Sequence, residues 1–320
     1  MTWHWPMALA VVATQLAPVT AAAPDAVTPP TAAAPGSDVD VIELERERYR
    51  RMTVPVMIGG EGPFRFMLDT GAEATVVSQA LADRLALNDR KPAILVGMAS
   101  RRQVETAEIF DVGLGRRLFY IRNAPVVEGE NIGGADGILG VDSLQHQRVL
   151  LDFARQEITV ADAEELGGNR GYEIIVKARE RLGQLIIAEA RLDGIRVAVV
   201  VDTGAQSSIG NIALLNRFRR SRHLGETQVT DINGEVLNGL VKVGSELRID
   251  RARLNNIPIM FADSPTFHAL DLADEPAMIL GMSELKLFRR VAIDVKTRRV
   301  LFDLPPQAGL YGRSGISAFR

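Results

Sequence analysis

Residues 64–77 read FRFMLDTGAEATVV and residues 197–209 read VAVVVDTGAQSSI, and the tripeptide DTG that they share decides the fold. In both stretches an apolar, strand-like run leads into an acid, a hydroxyl residue and a glycine. An acid at the end of a buried strand costs free energy unless a partner satisfies it. Because this arrangement occurs twice in the same local setting, it indicates two carboxylates that meet.

The repeat extends well beyond the tripeptides. The two acids, Asp69 and Asp202, lie 133 positions apart, and the same offset relates Ser78 to Asn211, two residues that favour the N-cap of a helix. The surrounding pattern predicts three further matches. These are a hairpin before each acid (52–68 and 185–201), an Ile-Leu-Gly element after it (137–144 and 278–285), and a following strand pair (149–160 and 291–302).

The organisation predicted from these patterns is two similar lobes in one chain. Most apolar runs are short and bounded by glycine, which is typical of a mainly β fold. The boundaries that we predict are a signal peptide at 1–23, an Ala/Pro-rich tether or pro-segment at 24–45, an N-terminal lobe at 46–165, a C-terminal lobe at 171–304 and a flexible tail at 305–320.

Composition excludes several classes of function. The 320 residues contain 37 basic and 40 acidic side chains, a formal net charge of -3, so no strong field favours nucleic acid as a partner. Cysteine is absent, which removes disulfides, thiolate nucleophiles and cysteine metal sites. The hydrophobic content of 47% is sufficient for a substantial core.

The N-terminus has the pattern of an export signal. Residues 7–16 are largely apolar and residues 21–23 are alanines, as a signal peptidase requires. The sequence therefore predicts a protein that is exported, periplasmic or extracellular, with no integral membrane segment after signal removal. The alternative interpretation is an alanine-rich N-terminus without defined structure.

No other motif indicates a different chemistry. The histidines His146, His223 and His268 lack the spacing of metal ligands, so we predict neither a metal nor any other cofactor. The basic run at 217–222 is interpreted as a solvated helix end, with a docking surface for anions as the alternative. Nucleophile-elbow, P-loop and dinucleotide-binding motifs are missing from the sequence.

The paired motifs resemble the aspartic proteases. Alanine after each DTG, and an Ile-Leu-Gly element before a short helix, are similar to the retropepsin-like branch, whereas two halves in one chain are typical of pepsins. The resemblance covers nearly all of residues 52–303. It implies two acid-protease-type β-barrel lobes related by an internal repeat, with the active-site cleft between them. It also implies an aspartic-type endopeptidase that acts on polypeptides as a monomer.

By this resemblance, the site residues fall into two groups. Asp69 and Asp202 would form a catalytic dyad that shares one proton, because two adjacent carboxylates cannot both ionise easily. One carboxylate would activate a water and the other would protonate the peptide carbonyl. The residues that would brace this dyad, by bonds across the lobes and by close backbone approach, are Thr70, Gly71, Thr203 and Gly204.

The resemblance also implies substrate contacts. Two glycine-containing hairpins, at 96–104 and 228–240, are expected to form flaps over the cleft, although ordinary exposed hairpins are the alternative. The residues expected to line the substrate site are Ala72, Glu73, Ala205, Gln206, Gly97 and Gly234. Since Glu73 and Gln206 differ in charge, the two sides of the cleft are not expected to be equivalent.

The alanines carry a further expectation. A serine or threonine after the glycine could donate a hydrogen bond to the ionised carboxylate and lower its pKa, which Ala72 and Ala205 cannot do. The dyad should therefore keep its proton to a higher pH than in pepsins. Two alternatives stay open: a catalytically silent peptide-binding module with a retropepsin-like fold, and an enzyme that acts only as a homodimer.

Overall fold

The protein is described by a computed structural model over residues 7–9, 14–16, 53–145, 147–218, 222–305 and 316–318. The predicted signal peptide and tether lie outside the described residues, apart from two three-residue strands. Most of the predicted tail also lies outside them.

The described chain is mainly β, as the sequence predicts. Its helices are α1 (Gln79–Arg84), α2 (Ile212–Arg217), α3 (Pro265–Ala269) and α4 (Met282–Leu285), with a 3-10 helix at Gly129–Ile132. Its strands, in chain order, are β1 (Met7–Leu9), β2 (Thr14–Leu16), β3 (Thr53–Ile58), β4 (Glu61–Leu68), β5 (Val76–Ser78), β6 (Arg90–Val96), β7 (Arg101–Leu114), β8 (Arg117–Val127), β9 (Gly137–Leu139), β10 (Arg148–Asp152), β11 (Glu157–Ala161), β12 (Ile174–Lys177), β13 (Arg179–Arg181), β14 (Gln184–Leu192), β15 (Ile195–Val201), β16 (Ile209–Gly210), β17 (Arg222–Thr230), β18 (Val236–Ile249), β19 (Ala252–Phe261), β20 (Ala277–Leu280), β21 (Arg290–Asp294), β22 (Arg299–Asp303) and β23 (Ile316–Ala318).

Two barrel-like sheets form the two lobes. The N-terminal sheet has the order β1-β6-β7-β3-β4-β9-β5-β8, and a further β7–β8 pairing closes it. The C-terminal sheet has the order β13-β14-β15-β20-β16-β19-β18-β17-β2, with β23 on β19 and an additional β14–β18 pairing. The expectation of two similar β-barrel lobes is therefore confirmed.

The topology explains why motifs distant in sequence meet. In each lobe the strand that ends at the acid pairs in parallel with the Ile-Leu-Gly strand, Leu68 opposite Leu139 and Val201 opposite Leu280. The predicted helix caps are also confirmed. Ser78 Oγ accepts from the Leu81 N–H at 3.1 Å, and Asn211 Oδ1 accepts from the Leu214 N–H at 2.8 Å.

A third sheet, of five strands in the order β11-β10-β21-β22-β12, joins the lobes. The sequence predicts both strand pairs but not that β10 and β21 pair with each other, Arg148 opposite Asp294 and Asp152 opposite Arg290. Both side chains of the first pair are buried, and Arg148 Nη2 lies 2.6 Å from Asp294 Oδ2. This sheet packs on the largest apolar cluster of the molecule, which contains residues of both lobes. Among the described helices, none has the length and apolar character needed to cross a membrane.

Candidate active site

The two acids lie at the ends of β4 and β15 and are fully buried. The N–H of Asp69 donates to the Leu139 carbonyl at 3.0 Å, and the N–H of Asp202 donates to the Leu280 carbonyl at 3.1 Å. The Ile-Leu-Gly strands therefore fix the backbone of both acids. This places the supporting element directly beside the acid loop in each lobe.

The glycines of the two tripeptides allow the loops to face each other closely. Gly71 N–H donates to Asp69 Oδ1 at 2.7 Å, and Gly204 N–H donates to Asp202 Oδ1 at 2.8 Å. A Cβ atom on Gly71 would lie 2.4 Å from Cγ of Asp202, and one on Gly204 would lie 2.4 Å from Cγ of Asp69. Any larger residue would collide with the opposite carboxyl, so the two acids approach across the lobe interface.

Thr70 and Thr203, the threonines of the tripeptides, make four hydrogen bonds that cross between the lobes. The Thr70 hydroxyl donates to the Val201 carbonyl at 2.9 Å, and the Thr203 hydroxyl donates to the Leu68 carbonyl at 2.7 Å. In return, Thr70 N–H donates to Thr203 Oγ1 at 3.0 Å, and Thr203 N–H donates to Thr70 Oγ1 at 3.3 Å. This reciprocal pattern relates the two acid loops by an approximate two-fold axis.

Burial dominates the electrostatics of the pair. It raises the pKa of Asp69 well above its usual value, and the charge of Asp202 and a hydrogen bond with it raise the pKa further. Burial also raises the pKa of Asp202 to about 6, against the hydrogen bonds from Asp69 and from the N–H groups of Ala205 and Gly204. These directions fit a pair with one protonated and one ionised carboxyl.

A second polar pair supports each acid loop, and the sequence predicts neither pair. Thr75 Oγ1 accepts from Gly140 N–H at 3.1 Å and donates to Asp142 Oδ1 at 2.7 Å. In the other lobe Ser208 Oγ accepts from Gly281 N–H at 3.2 Å and donates to Glu284 Oε2. These hydroxyls therefore tie each acid loop to the Ile-Leu-Gly element.

The surroundings of both supporting carboxyls raise their pKa values. Burial raises the pKa of Asp142, although hydrogen bonds from Thr75 and Ser143 act in the opposite direction. Burial also raises the pKa of Glu284 to about 7, against the hydrogen bond with Ser208. Each acid loop thus rests on a second carboxyl that ionises less readily than usual.

One contact crosses the lobes without a counterpart in the sequence repeat. The buried side chain of Gln184, at the start of β14, donates from Nε2 to the carbonyl of Gly71 at 2.6 Å. This bond holds the N-terminal acid loop from the C-terminal lobe.

The residues that follow the tripeptides occupy different environments. Ala72 and Ala205 are fully buried, and each lies in an apolar cluster below its acid loop. Glu73 lines a pocket of about 480 Å³ between the lobes, together with Asp142, Glu180 and other residues. Gln206 is exposed, and its carbonyl accepts from Ser283 N–H and Oγ. Their contact with substrate stays a prediction.

The two expected flaps are hairpins whose tips touch across the lobes. The N-terminal tip, residues 97–100, joins β6 to β7, and the C-terminal tip, residues 231–235, joins β17 to β18. The buried Asp231 carboxylate accepts from Ala99 N–H at 3.0 Å and Ser100 Oγ at 2.9 Å through Oδ2. Its Oδ1 accepts from two N–H groups of its own tip.

The expected flap glycines lie in this contact. A Cβ atom on Gly97 would lie 2.3 Å from Asp231 Oδ2, so only glycine leaves room for the carboxylate. Gly234 has a φ of 83° and faces the side chain of Asn131 in the N-terminal lobe. Both glycines therefore serve the contact between the tips, and their role in substrate binding stays a prediction.

Each tip also packs into the opposite lobe. Met98 belongs to the C-terminal cluster that contains Ala205, and Ile232 belongs to the N-terminal cluster that contains Ala72. Ser264 Oγ donates to the Met98 carbonyl at 2.7 Å. The tips thus converge on the residues next to the two acids.

The remaining sequence candidates lie away from this centre. His223 is exposed, and His268 Nε2 lies 2.9 Å from Asp263 Oδ1 on the surface. His146 and the middle of the basic run, residues 219–221, are outside the described residues. Within the described ranges, no group of three or more His, Asp or Glu side chains is arranged to hold a metal ion.

Two protein-family models match the chain, one in each lobe. A gag-polyprotein aspartyl protease family model matches residues 54–146, and an aspartyl protease family model matches residues 188–283. A search of curated proteins gave no match. Among solved structures, a retropepsin-like aspartic protease from Rickettsia conorii is 20% identical, covering 41% of this chain and 89% of its own, with a TM-score of 0.28.

An aspartyl protease family model matches each lobe in turn, and together the two models support a retropepsin-like aspartyl protease.

Proposed function

We propose that the chain is an aspartic endopeptidase in which Asp69 and Asp202 activate a water molecule. One observation carries the proposal. The two buried carboxyls face each other across the lobes, each with Oδ1 held by a backbone N–H. Within the described residues, Oδ2 of each accepts no hydrogen bond from an N–H or a hydroxyl. The pair is thus held in place while the Oδ2 atom of each carboxyl is left for proton transfer.

In the first step, water attacks the peptide carbonyl, and the single proton shared by Asp69 and Asp202 decides which carboxyl acts as the base and which as the acid. The ionised carboxylate takes a proton from water as the water oxygen attacks the carbonyl carbon of the peptide. The protonated carboxyl gives its proton to the carbonyl oxygen, which becomes a hydroxyl. The product is a neutral tetrahedral diol, and the dyad again holds one proton.

The second step breaks the peptide bond. The protonated carboxyl donates to the nitrogen as the C–N bond breaks, and the other carboxylate removes a proton from one hydroxyl of the diol. A carboxylic acid and an amine leave, and the dyad returns to its starting state. No bond forms between the protein and the substrate in this scheme.

Separate Asp69→Asn and Asp202→Asn variants test the proposal with a library of peptides. We expect the wild type to cleave some members and each variant to lose turnover by roughly a thousandfold or more, because an amide can neither accept the proton nor share one. The matched control is Asp89→Asn, an exposed aspartate outside the site, which should cleave as the wild type does. Mass spectrometry of the products locates the broken bonds.

Two results would contradict the proposal. Full turnover in either dyad variant would show that the carboxyl pair does not carry the chemistry. If the wild type binds peptides but breaks none of them at any pH between 4 and about 8, the protein acts as a peptide-binding module instead.

A further inference from the structure

The Gln184 side chain carries a buried oxygen atom that has no partner among the described residues. Gln184 stands at the start of β14, and its Nε2 donates to the Gly71 carbonyl of the other lobe at 2.6 Å. The side chain is completely buried, and Oε1 accepts no hydrogen bond from any described residue. Buried polar atoms are almost always paired, because an unpaired one loses its bonds to water without replacement. This oxygen therefore indicates an acceptor position for a bound molecule.

The amide of Gln184 cannot turn over to satisfy that oxygen. A backbone carbonyl only accepts hydrogen bonds, so the NH2 group of the amide has to face Gly71. A reversed amide would place two oxygens against each other and would leave the NH2 group unpaired. Oε1 thus stays an acceptor, and it needs an N–H or a hydroxyl from a molecule that enters the site.

Gln184 connects the acid loop to the wall of a pocket. Gly71, which its side chain holds, donates from N–H to Asp69 Oδ1 at 2.7 Å. Gly183, the residue before Gln184, lines the pocket of about 480 Å³ between the lobes, and so does Glu73 of the acid loop. The unpaired oxygen therefore belongs to a side chain that reaches from this pocket to the dyad.

The outer oxygens of the dyad share the condition of Gln184 Oε1. Asp69 Oδ2 and Asp202 Oδ2 are also buried and also lack a hydrogen bond from the described residues. In the proposed reaction they meet water and substrate, so substrate has to reach buried oxygens of this site in any case. An extended polypeptide offers one backbone N–H for each residue other than proline, which is the donor that Oε1 requires.

We propose that Gln184 binds the substrate, with Oε1 accepting one backbone N–H of the polypeptide close to the bond that the dyad cleaves. The inference rests on the peptidase function proposed above and adds to it a residue that holds the substrate chain. The other end of the same amide fixes the Gly71 carbonyl. One side chain thus orients both the acid loop and the peptide.

The repeat places a different residue type on the opposite side of the cleft. The two hairpins before the acids pair in the same register at an offset of 133 residues, Thr53 opposite Met67 and Ile186 opposite Val200. The same offset relates Gln184 to Arg51, and a guanidinium has donors but no acceptor. A glutamine oxygen therefore accepts the substrate N–H on one side, which distinguishes the two directions in which a chain could lie.

Peptides with a single ester in place of an amide test the contact, because an ester lacks the N–H and keeps the shape of the chain. The scan uses a library peptide that the wild type cleaves, moves the ester one position at a time and keeps the cleaved bond as an amide. We expect kcat/KM of the wild type to fall about tenfold at one ester position near the cleaved bond, which corresponds to about 1.4 kcal/mol.

Gln184→Met removes the acceptor at nearly the same side-chain volume. It should lower kcat/KM for the all-amide peptide. The sensitive ester should then cost less than about twofold more, since the partner of its N–H is gone. A role confined to bracing Gly71 would leave the effect of the ester unchanged. The control is Gln147→Met, which replaces another buried glutamine outside the acid loops and should keep the full effect.

Two results would overturn the inference. One is a wild-type scan in which no ester position lowers kcat/KM, a result that depends on no variant. The other is an ester effect of the same size in Gln184→Met, whose fold is checked by circular dichroism. Gln184→Leu, which also lacks the acceptor, replaces it in the comparison if Gln184→Met does not fold.

Failure of the peptidase proposal gives a different result, since the wild type would then cleave no peptide of the library. The same ester scan is in that case read by fluorescence polarisation on a labelled library peptide that binds, with Kd in place of kcat/KM. Loss of the ester effect on Kd in Gln184→Met supports the contact, and an unchanged effect rejects it. The two proposals therefore fail separately.

Discussion

At the scale of single residues, the alanine after each tripeptide bears on the pH dependence of the proposed reaction. The scheme requires one proton on the pair. Since the pKa of Asp202 is about 6 and that of Asp69 lies well above its usual value, kcat/KM should fall below about pH 6, where both carboxyls are protonated, and persist through neutrality. A pH profile on a cleaved peptide checks this, and activity confined below about pH 4 would contradict it.

A substitution of the alanine after the second tripeptide tests whether this position sets the pH dependence. Ala205→Ser would place a hydroxyl beside Asp202, whose Oδ1 already accepts from the Ala205 N–H at 3.0 Å. Because a donor favours the ionised carboxylate, the acidic limb of the profile should move down by about one pH unit. Ala82→Ser, another fully buried alanine but in α1, serves as the control and should leave the limb in place.

Glu284 predicts a pH dependence of stability. Its pKa is raised from 4.5 to about 7 by burial, so its contribution to stability is complete below pH 4.5 and is lost as the pH rises through 7. Glu284→Gln should therefore gain stability over the wild type at pH 8 relative to pH 5, by at most on the order of 3 kcal/mol. Urea unfolding at both pH values measures this. An equal difference at both pH values, or a similar gain in the exposed Glu164→Gln control, would contradict the assignment.

The sequence identifies the two acids, because a repeated tripeptide in a repeated setting is visible without a structure. It does not identify the supporting carboxyls. The repeat aligns Thr75 with Ser208, but their acid partners, Asp142 and Glu284, stand at non-equivalent positions of the Ile-Leu-Gly elements. The sequence signal for these pairs is that both repeats carry a hydroxyl residue at the same position. Which carboxyl each hydroxyl contacts is visible only in the structure.

At the scale of elements, the hairpin tips depend on Asp231. Its carboxylate holds Ala99 N–H across the lobes, and charge-assisted bonds of this kind contribute about 1.5–3 kcal/mol each. Asp231→Asn replaces one acceptor oxygen by a donor, so we expect the amides of the N-terminal tip to exchange at least about tenfold faster with deuterium. KM for a peptide should rise in parallel. Hydrogen exchange by mass spectrometry measures the first effect.

The control for this prediction is Glu226→Gln, an exposed position on the same hairpin as Asp231. It should change neither the exchange nor KM. If exchange accelerates equally over the distant part of β7, residues 109–114, the substitution has loosened the whole lobe and the local account fails.

Hairpins and caps are predicted from sequence because their signals are local. Asp193 and Gly194 both have positive φ at the turn between β14 and β15, which is what an Asp-Gly turn requires. The pairing of β10 with β21 is not predictable in this way. Each of the two strand pairs is recognisable as a hairpin from its own sequence. No residue pattern in β10 or β21 indicates that the free edge of one pairs with the free edge of the other.

At the scale of the whole molecule, the joining sheet contains a buried ion pair. Arg148→Met leaves Asp294 without its cation in a buried site, which should cost about 3–5 kcal/mol of unfolding free energy. The double variant Arg148→Met/Asp294→Leu should recover most of that loss, because a packed apolar pair replaces two desolvated charges. Chemical denaturation measures both. Lys91→Met, in an exposed ion pair with Glu108, is the control and should cost less than about 1 kcal/mol.

Because of the crossed threonine bonds, the site forms only when both lobes are present. Each acid loop is completed by a hydroxyl and a carbonyl from the other lobe, so neither half holds a finished carboxyl site. If the chain were cut between 163 and 171 and the halves were supplied separately, activity would rise with the product of the two concentrations. Fusion of the halves turns that bimolecular encounter into an internal one, and dilution then leaves the fraction of assembled sites unchanged.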